Sequence, residues 1–217
     1  VTMQIKNLSR RGCLMGIGSS LLGTSLLSGC SSETPGVEQR VPYNFSVARN
    51  YEDEEFRVLR VRRNKFDDRF LPQVVRSPFR HKTGTLIVKT ADNYIYLQVG
   101  NGLARRYGVG VGRRGVAWSG TATAALKRRW PAWHPTPRMR ALEPTLPAYV
   151  SPGEHNPLGA RAIYLFQNGE DTLYRIHGTS EPWTIGTRAS SGCIRMLNED
   201  IIDLFDRVPL NATVIVT

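Results

Sequence analysis

Asn168-Gly169 stands between the runs RAIYLFQ and TLYRIHG, and no other dipeptide in the chain limits its fold so strongly. A two-residue hairpin loop needs two positive-φ positions, which Asn-Gly supplies at little cost. The flanking runs are rich in aromatic and β-branched residues, so they are predicted to be antiparallel strands. TLIVKT and YIYLQV, separated by the turn-forming ADN, read as a second hairpin. FLPQVV reads as the first edge strand, because Pro72 lacks the N–H a central strand would need. ARRYGVGVGRRG continues as a strand that breaks at its glycines, and ATVIVT closes the chain as another. VAWSGTATAAL is strand-like by its Thr and Trp content, although its alanines leave a helix open. RRWPAWHPTPRMRALEPTLPAYV holds five prolines and is expected to be an irregular surface loop. NEDIIDLFDRV is expected to be an amphipathic helix capped by Asn198, with acids in its first turn. The pattern is that of a mainly β (α+β) domain over residues 81–217 with one marked helix near its end.

The ends of the chain differ in texture. Residues 1–30 begin with Lys6, Arg10 and Arg11, continue as an uncharged stretch over residues 12–29, and end at Cys30. A basic start, an apolar middle and a small-residue end form the layout of an export signal. SRRGCL resembles a twin-arginine motif and Leu27-Ser28-Gly29-Cys30 a bacterial lipobox, in which the cysteine takes the lipid. A non-cleaved anchor is the other reading, since eighteen uncharged residues approach spanning length. Either way the rest is exported; the lipobox implies a periplasmic, membrane-anchored lipoprotein. Residues 31–80 alternate acidic and basic clusters and read as a charged tether or surface-lying segment.

The formal charge is +11, of which the first thirty residues give +3. The excess suits anionic lipid, nucleic acid or a carboxylate-rich polymer, or is a solvated basic surface. Nucleic acid is excluded as a partner by the absence of a basic helix or aromatic stacking motif.

With Cys13 and Cys30 in the presumed signal, Cys193 is a single thiol in an oxidising compartment, where cysteines usually pair. It is either an inert buried residue or a nucleophile. A nucleophile needs a base, and His177, sixteen residues earlier at the end of TLYRIHG, is the candidate. It is otherwise a surface or satisfied histidine. Gly192 removes a side chain beside the thiol, so nearby N–H groups are candidate oxyanion donors. Ser190 and Ser191 are candidates to orient His177 or bind substrate. Arg195 points to a carboxylate, on a substrate or on the protein, with Glu199 and Asp200 as the nearest candidates. His81, His134 and His155 lack metal-ligand spacing, and neither metal nor cofactor is expected.

The stretch RIHGTSEPWTIGTRASSGCIRMLNEDIIDLFDRV resembles the signature of the L,D-transpeptidase (YkuD-type) catalytic domain. YGVGVGRRG, WPAWHPTPRM and EHNPLGARAIYL are similar to further family segments in the same order, over roughly residues 85–217. The resemblance implies a β-sandwich-like fold with its helix after the cysteine, Cys193 as nucleophile and His177 as general base and acid. It places Gly192, Ser191, Ser190, Arg195, Gly178 and Thr179 around substrate or oxyanion. Many members carry a second histidine where this chain has Ser191. The implied activity is acyl transfer on peptidoglycan peptide stems, with the acyl group passed to a diaminopimelate amine or to a protein tethered to the wall. Hydrolysis on the same scaffold (an L,D-carboxypeptidase) and a non-catalytic wall-binding lipoprotein are the alternatives. A papain-like reading fails on order, because there the cysteine precedes the histidine.

Overall fold

The computed structural model describes residues 40–41, 51–58, 61, 63, 66–113 and 118–217. The expected export signal, twin-arginine motif and lipidation site at Cys30 lie outside the described residues.

The chain order is β1 (Arg40–Val41), β2 (Gln73–Arg76), β3 (Leu86–Lys89), β4 (Tyr94–Gly100), β5 (Leu103–Gly108) and β6 (Gly120–Arg129). Then come α1 (Pro137–Leu142), β7 (Arg161–Gln167), β8 (Glu170–His177), β9 (Ile194–Arg195), α2 (Asn198–Arg207) and β10 (Thr213–Val216). The strands form one sheet in the order β1-β2-β5-β4-β3-β10-β6-β7-β8-β9. Most neighbours are antiparallel; β10 with β3 and β8 with β9 are parallel. The chain beyond β5 also meets β9, through a bridge from Gly110 to Arg195, so the two halves of the sheet come together there. Leu86, Val88, Ile95, Leu97, Ile163 and Leu165 fill the interior with Ile201 and Leu204 of α2.

Both expected hairpins are present, and Asn168 and Gly169 take φ values of 53° and 84°, as that turn requires. VAWSGTATAAL yields the long strand β6, because Ala122 and Ala124 fill a crowded core position while Thr121 and Thr123 face solvent. The proline-rich segment departs from expectation. Within it Pro137–Leu142 form a short helix, with Pro137 in its first turn and Thr136 Oγ1 accepting from the Met139 N–H at 3.2 Å. Proline at a helix start costs nothing, since that N–H has no partner inside the helix. Trp133 and Val150 exchange backbone hydrogen bonds and close the loop at its base.

Helix α2 has the expected span, but its cap differs. Leu197 is the N-cap residue and no side chain caps the helix. Asn198 lies inside the first turn, and its amide is used elsewhere, as described below.

Charged residues before position 81 are engaged with the domain. Glu54 receives Arg161 through both carboxylate oxygens (2.5 and 2.9 Å) and the Trp130 indole N–H at 3.0 Å. Arg161 is buried, so Glu54 neutralises a charge that water cannot reach. Burial pushes the Glu54 carboxyl up, but the Arg161 hydrogen bond and charge outweigh it and hold the carboxyl below its ordinary value. Tyr51, Phe56 and Val58 pack with Trp130, Ala160 and Ile202. Arg63 sits 2.6 Å from Asp200, itself buried in α2. Phe70 enters a notch where Cβ atoms on Gly108 and Gly186 would come within 2.6 and 2.4 Å of it.

Removing one partner of a buried ion pair leaves an uncompensated charge, at a cost of about 3–5 kcal/mol. Glu54→Ala is therefore expected to lower the melting temperature sharply, and the Glu54→Leu/Arg161→Met pair to recover most of the loss. Thermal melts of the single and paired variants check this.

Candidate active site

β7 and β8 leave their turn in one register and reach the site in another. Gln167 pairs with Glu170 and Phe166 with Asp171, but Tyr164 pairs with Arg175 and Ile163 with Ile176. Leu165 thus faces three residues, Thr172, Leu173 and Tyr174, in a wide bulge. Side chains within the bulge hold it. Thr172 Oγ1 donates to the Leu165 carbonyl at 2.6 Å and accepts from the Tyr174 N–H at 3.2 Å. The Leu173 N–H donates to Asp171 Oδ1 at 2.8 Å. Leu173 takes a φ of 62°, a region strained for a bulky side chain.

Beyond the bulge, β8 pairs in parallel with β9, Ile176 with Ile194 and His177 with Arg195. Ile176 and Ile194 turn into the core. Because side chains alternate along a strand, Arg175, His177, Cys193 and Arg195 share the opposite face. The chemistry of the site arises from that quartet.

His177 is only 4% exposed, and its Nδ1 lies 2.6 Å from the Gly178 carbonyl oxygen. A carbonyl only accepts, so Nδ1 carries the proton and Nε2 is left as the acceptor. Burial and the charges of Arg195 and Arg175 outweigh the Gly178 contact and push the imidazole pKa down to about 3. His177 is neutral at physiological pH, in the state a general base requires.

Cys193 is half-buried, and its Sγ lies 3.9 Å from the Leu173 carbonyl oxygen. Burial pushes the thiol up; the Arg175 backbone N–H and the charges of Arg175 and Arg195 pull against it without cancelling it. The resting pair is therefore a neutral thiol beside a neutral imidazole. No hydrogen bond joins them among the described residues, a looseness common in sites without substrate.

The cysteine loop is zipped onto the glycine strand. Arg195 and Gly110 exchange backbone hydrogen bonds at 2.8 and 2.9 Å, and the Ser190 N–H donates to the Val111 carbonyl at 3.1 Å. A Cβ at Gly110 would meet the Thr184 carbonyl oxygen at 2.6 Å, so only glycine allows this approach. The Ser190 hydroxyl donates to the Cys193 carbonyl at 2.6 Å and accepts from the Gly192 N–H at 3.2 Å. Ser190 thus shapes the loop from within. The Gly192 N–H is spent on that contact, whereas the Cys193 N–H has no hydrogen-bond partner among the described residues. Gly192 has a φ of 134°, open to glycine alone. Ser191, in place of the second histidine, is exposed at the rim.

Arg195 does meet a carboxylate, but it belongs to Glu181, at 2.5 Å, rather than to Glu199 or Asp200. Those two face Arg63. Thr179 Oγ1 accepts from the Glu181 N–H at 2.9 Å and so positions this partner. Asn198 ties the rear of the site. Its Oδ1 accepts from the Ala160 N–H (3.0 Å) and its Nδ2 donates to the Thr179 carbonyl (3.1 Å). Cβ atoms at Gly159 or Gly178 would lie 2.2 Å from that oxygen. His81, His134 and His155 are exposed, away from the quartet in sequence and in the sheet.

The chain belongs to the L,D-transpeptidase family. The family model described as the L,D-transpeptidase catalytic domain, YkuD, matches residues 83–216. Among curated relatives, the probable L,D-transpeptidase YbiS of Escherichia coli K12 is 34% identical over 66% of this chain and 47% of its own length. The probable L,D-transpeptidase YcfS of the same strain is 38% identical over 64% of this chain and 45% of its own. The chain thus spans about half the length of the curated relatives it matches. A solved Brucella melitensis structure, named a probable carnitine operon oxidoreductase, is 44% identical and covers 69% of this chain and 94% of its own, with a TM-score of 0.48.

Burial of a neutral histidine links stability to pH. The unfolded imidazole titrates near 6.5 and the folded one near 3, so between these values the unfolded chain binds more protons. His177's contribution is present in full above 6.5 and is lost as pH falls towards 3. His177→Gln is expected to flatten the decline in melting temperature between pH 7 and pH 4, read by thermal melts of both proteins across that range.

Proposed function

We propose that this domain is a peptidoglycan L,D-transpeptidase with Cys193 as nucleophile and His177 as its base and acid. The observation that supports it most directly is the shared face of β8 and β9. There a neutral imidazole with a free Nε2 stands beside a single thiol, inside a domain of that family.

The steps follow from the groups present. Nε2 of His177 takes the thiol proton as the sulfur attacks the carbonyl of the third residue of a tetrapeptide stem, meso-diaminopimelate in Gram-negative walls. The oxyanion accepts from the Cys193 N–H, which is unengaged among the described residues. Collapse of the intermediate breaks the peptide bond. His177 returns the proton to the departing D-alanine amine, leaving a thioester on Cys193. An acceptor amine attacks that thioester, and His177 takes the proton that the amine loses and gives it to the departing sulfur. The acceptor is diaminopimelate on a second stem, which forms a cross-link, or an amine of a protein, which becomes tethered. The basic surface favours stems, whose free carboxylates match its charge. Cys30 would carry the lipid and the preceding residues the export signal, setting the enzyme in the periplasm at a membrane.

The test is mass spectrometry of a disaccharide-tetrapeptide incubated with residues 31–217 and with the Cys193→Ala variant. The expected product is a dimer lacking one D-alanine, formed only when Cys193 is present. A tripeptide without dimer would show that water resolves the thioester when no protein acceptor is supplied. Neither product, with no mass added to Cys193 by a carbapenem, would remove the nucleophile assignment.

A further inference from the structure

We propose that Arg175, set by the β8 bulge and clamped by Asp171, is a positioning residue that holds fixed positive charge beside the sulfur of Cys193 as it ionises. The inference rests on the nucleophile reading above and adds what makes that thiol reactive in an apolar setting. One step back from the Ile176–Ile194 pair, the parallel ladder sets Arg175 against Cys193.

The guanidinium is fixed from three sides. Nη1 and Nη2 meet Asp171 Oδ1 and Oδ2, each at 2.7 Å, in a two-pronged pair. Nη1 also donates to the Tyr174 carbonyl at 2.9 Å, and the group lies 4.2 Å from the centre of the Tyr164 ring. A side chain with that many restraints does not relocate when charge forms beside it, which is the condition for useful electrostatic stabilisation. Asp171 and Arg175 are partners across the bulge, so the extra residues that strain Leu173 also bring the clamp together. The same bulge aims the Leu173 carbonyl at Sγ from 3.9 Å. A carbonyl oxygen favours the protonated thiol and repels the thiolate. The bulge thus holds the thiol at rest through Leu173 and favours its ionised form through Arg175.

The charged and titratable groups that act on the sulfur come from both strands. Arg175 and Arg195 favour the thiolate and Asp171 opposes it. His177 shares the face but is neutral, and Arg195 is itself tempered by Glu181. Arg175 differs from Arg195 in its place on the parallel ladder, across from Cys193 rather than two residues beyond it.

The test reads the thiol without substrate, so its result stands apart from transpeptidation. Full-length protein is alkylated with iodoacetamide from pH 5 to pH 10, and the Cys193 peptide is followed by mass spectrometry. Loss of a neighbouring cation raises the thiol's midpoint. Arg175→Met is expected to slow alkylation at pH 7 by roughly tenfold and to move the profile to higher pH. Arg175→Lys is expected to recover part of the rate, because the charge remains although the two-pronged clamp is lost. Arg175→Gln keeps a polar side chain of similar reach and is expected to behave as Arg175→Met; it replaces the methionine variant if that one melts before wild type. A profile unmoved in both neutral variants, or moved as far by lysine as by methionine, would overturn the proposal. If the profile moves as expected while Cys193→Ala still yields product, the positioning role stands and the function reading falls.

Discussion

Ile194 and Arg195 make a strand of only two residues, yet they are held on both sides, by β8 in parallel and by Gly110 in a backbone exchange. The position of the thiol depends on this double pairing. Cys193 lies immediately before the strand, so the ladder fixes its Cα, and the Ser190 hydroxyl fixes its carbonyl. The exchange with Gly110 leaves no room for a side chain at position 110, where a Cβ would lie 2.6 Å from the Thr184 carbonyl oxygen. The alternation in YGVGVG thereby acquires a physical meaning. Val109 and Val111 enter the core while Gly108, Gly110 and Gly112 clear ground for Phe70, the Thr184 carbonyl and the Ser190 bridge.

The electrostatics follow from that close assembly. Burying a thiol and an imidazole together favours the uncharged form of each. Two neutral groups can share an apolar pocket at little cost, whereas a resting thiolate–imidazolium pair would need solvent or several donors around it. In the reaction proposed for this pair, charge appears only during attack, when the proton crosses to Nε2. The two arginines on this face lie beside both groups, and their effects have opposite consequences. They help the thiolate and hinder the imidazolium, so they favour sulfur ionisation while keeping His177 a ready acceptor.

What the sequence made legible was local. The Asn168-Gly169 turn, the ADN turn and the period of NEDIIDLFDRV are short-range signals, and the structure contains all three elements. Asn198 shows the limit of such signals. Asn before an amphipathic run reads as a cap, but two glycines at 159 and 178 create a socket that binds its amide instead. That socket joins residues thirty-nine positions apart and has no local trace. The five prolines of residues 128–150 read together as an irregular loop, although Thr136 before Pro137 allows a helix to start there. The β8 bulge was the least legible feature. Only the pairing of Ile163 with Ile176, against Gln167 with Glu170, reveals that extra residues lie between.

The charged segment before residue 81 carries the same lesson about charge as the site. Its alternating signs read as a tether or a surface-lying segment, since a sequence displays charges but not their partners. Glu54 and Arg63 meet Arg161 and Asp200, each of which is buried in the domain. Burial pushes the Asp200 carboxyl up despite Arg63, so that pair is not a strong source of stability in itself. It acts as a condition on the fold: buried Arg161 on β7 and buried Asp200 on α2 each meet an opposite charge from this segment. Arg161 lies two residues from Gly159, whose socket takes the Asn198 amide behind His177. The Glu54–Arg161 pair therefore braces the rear wall against which the histidine is set, from more than a hundred positions away in sequence.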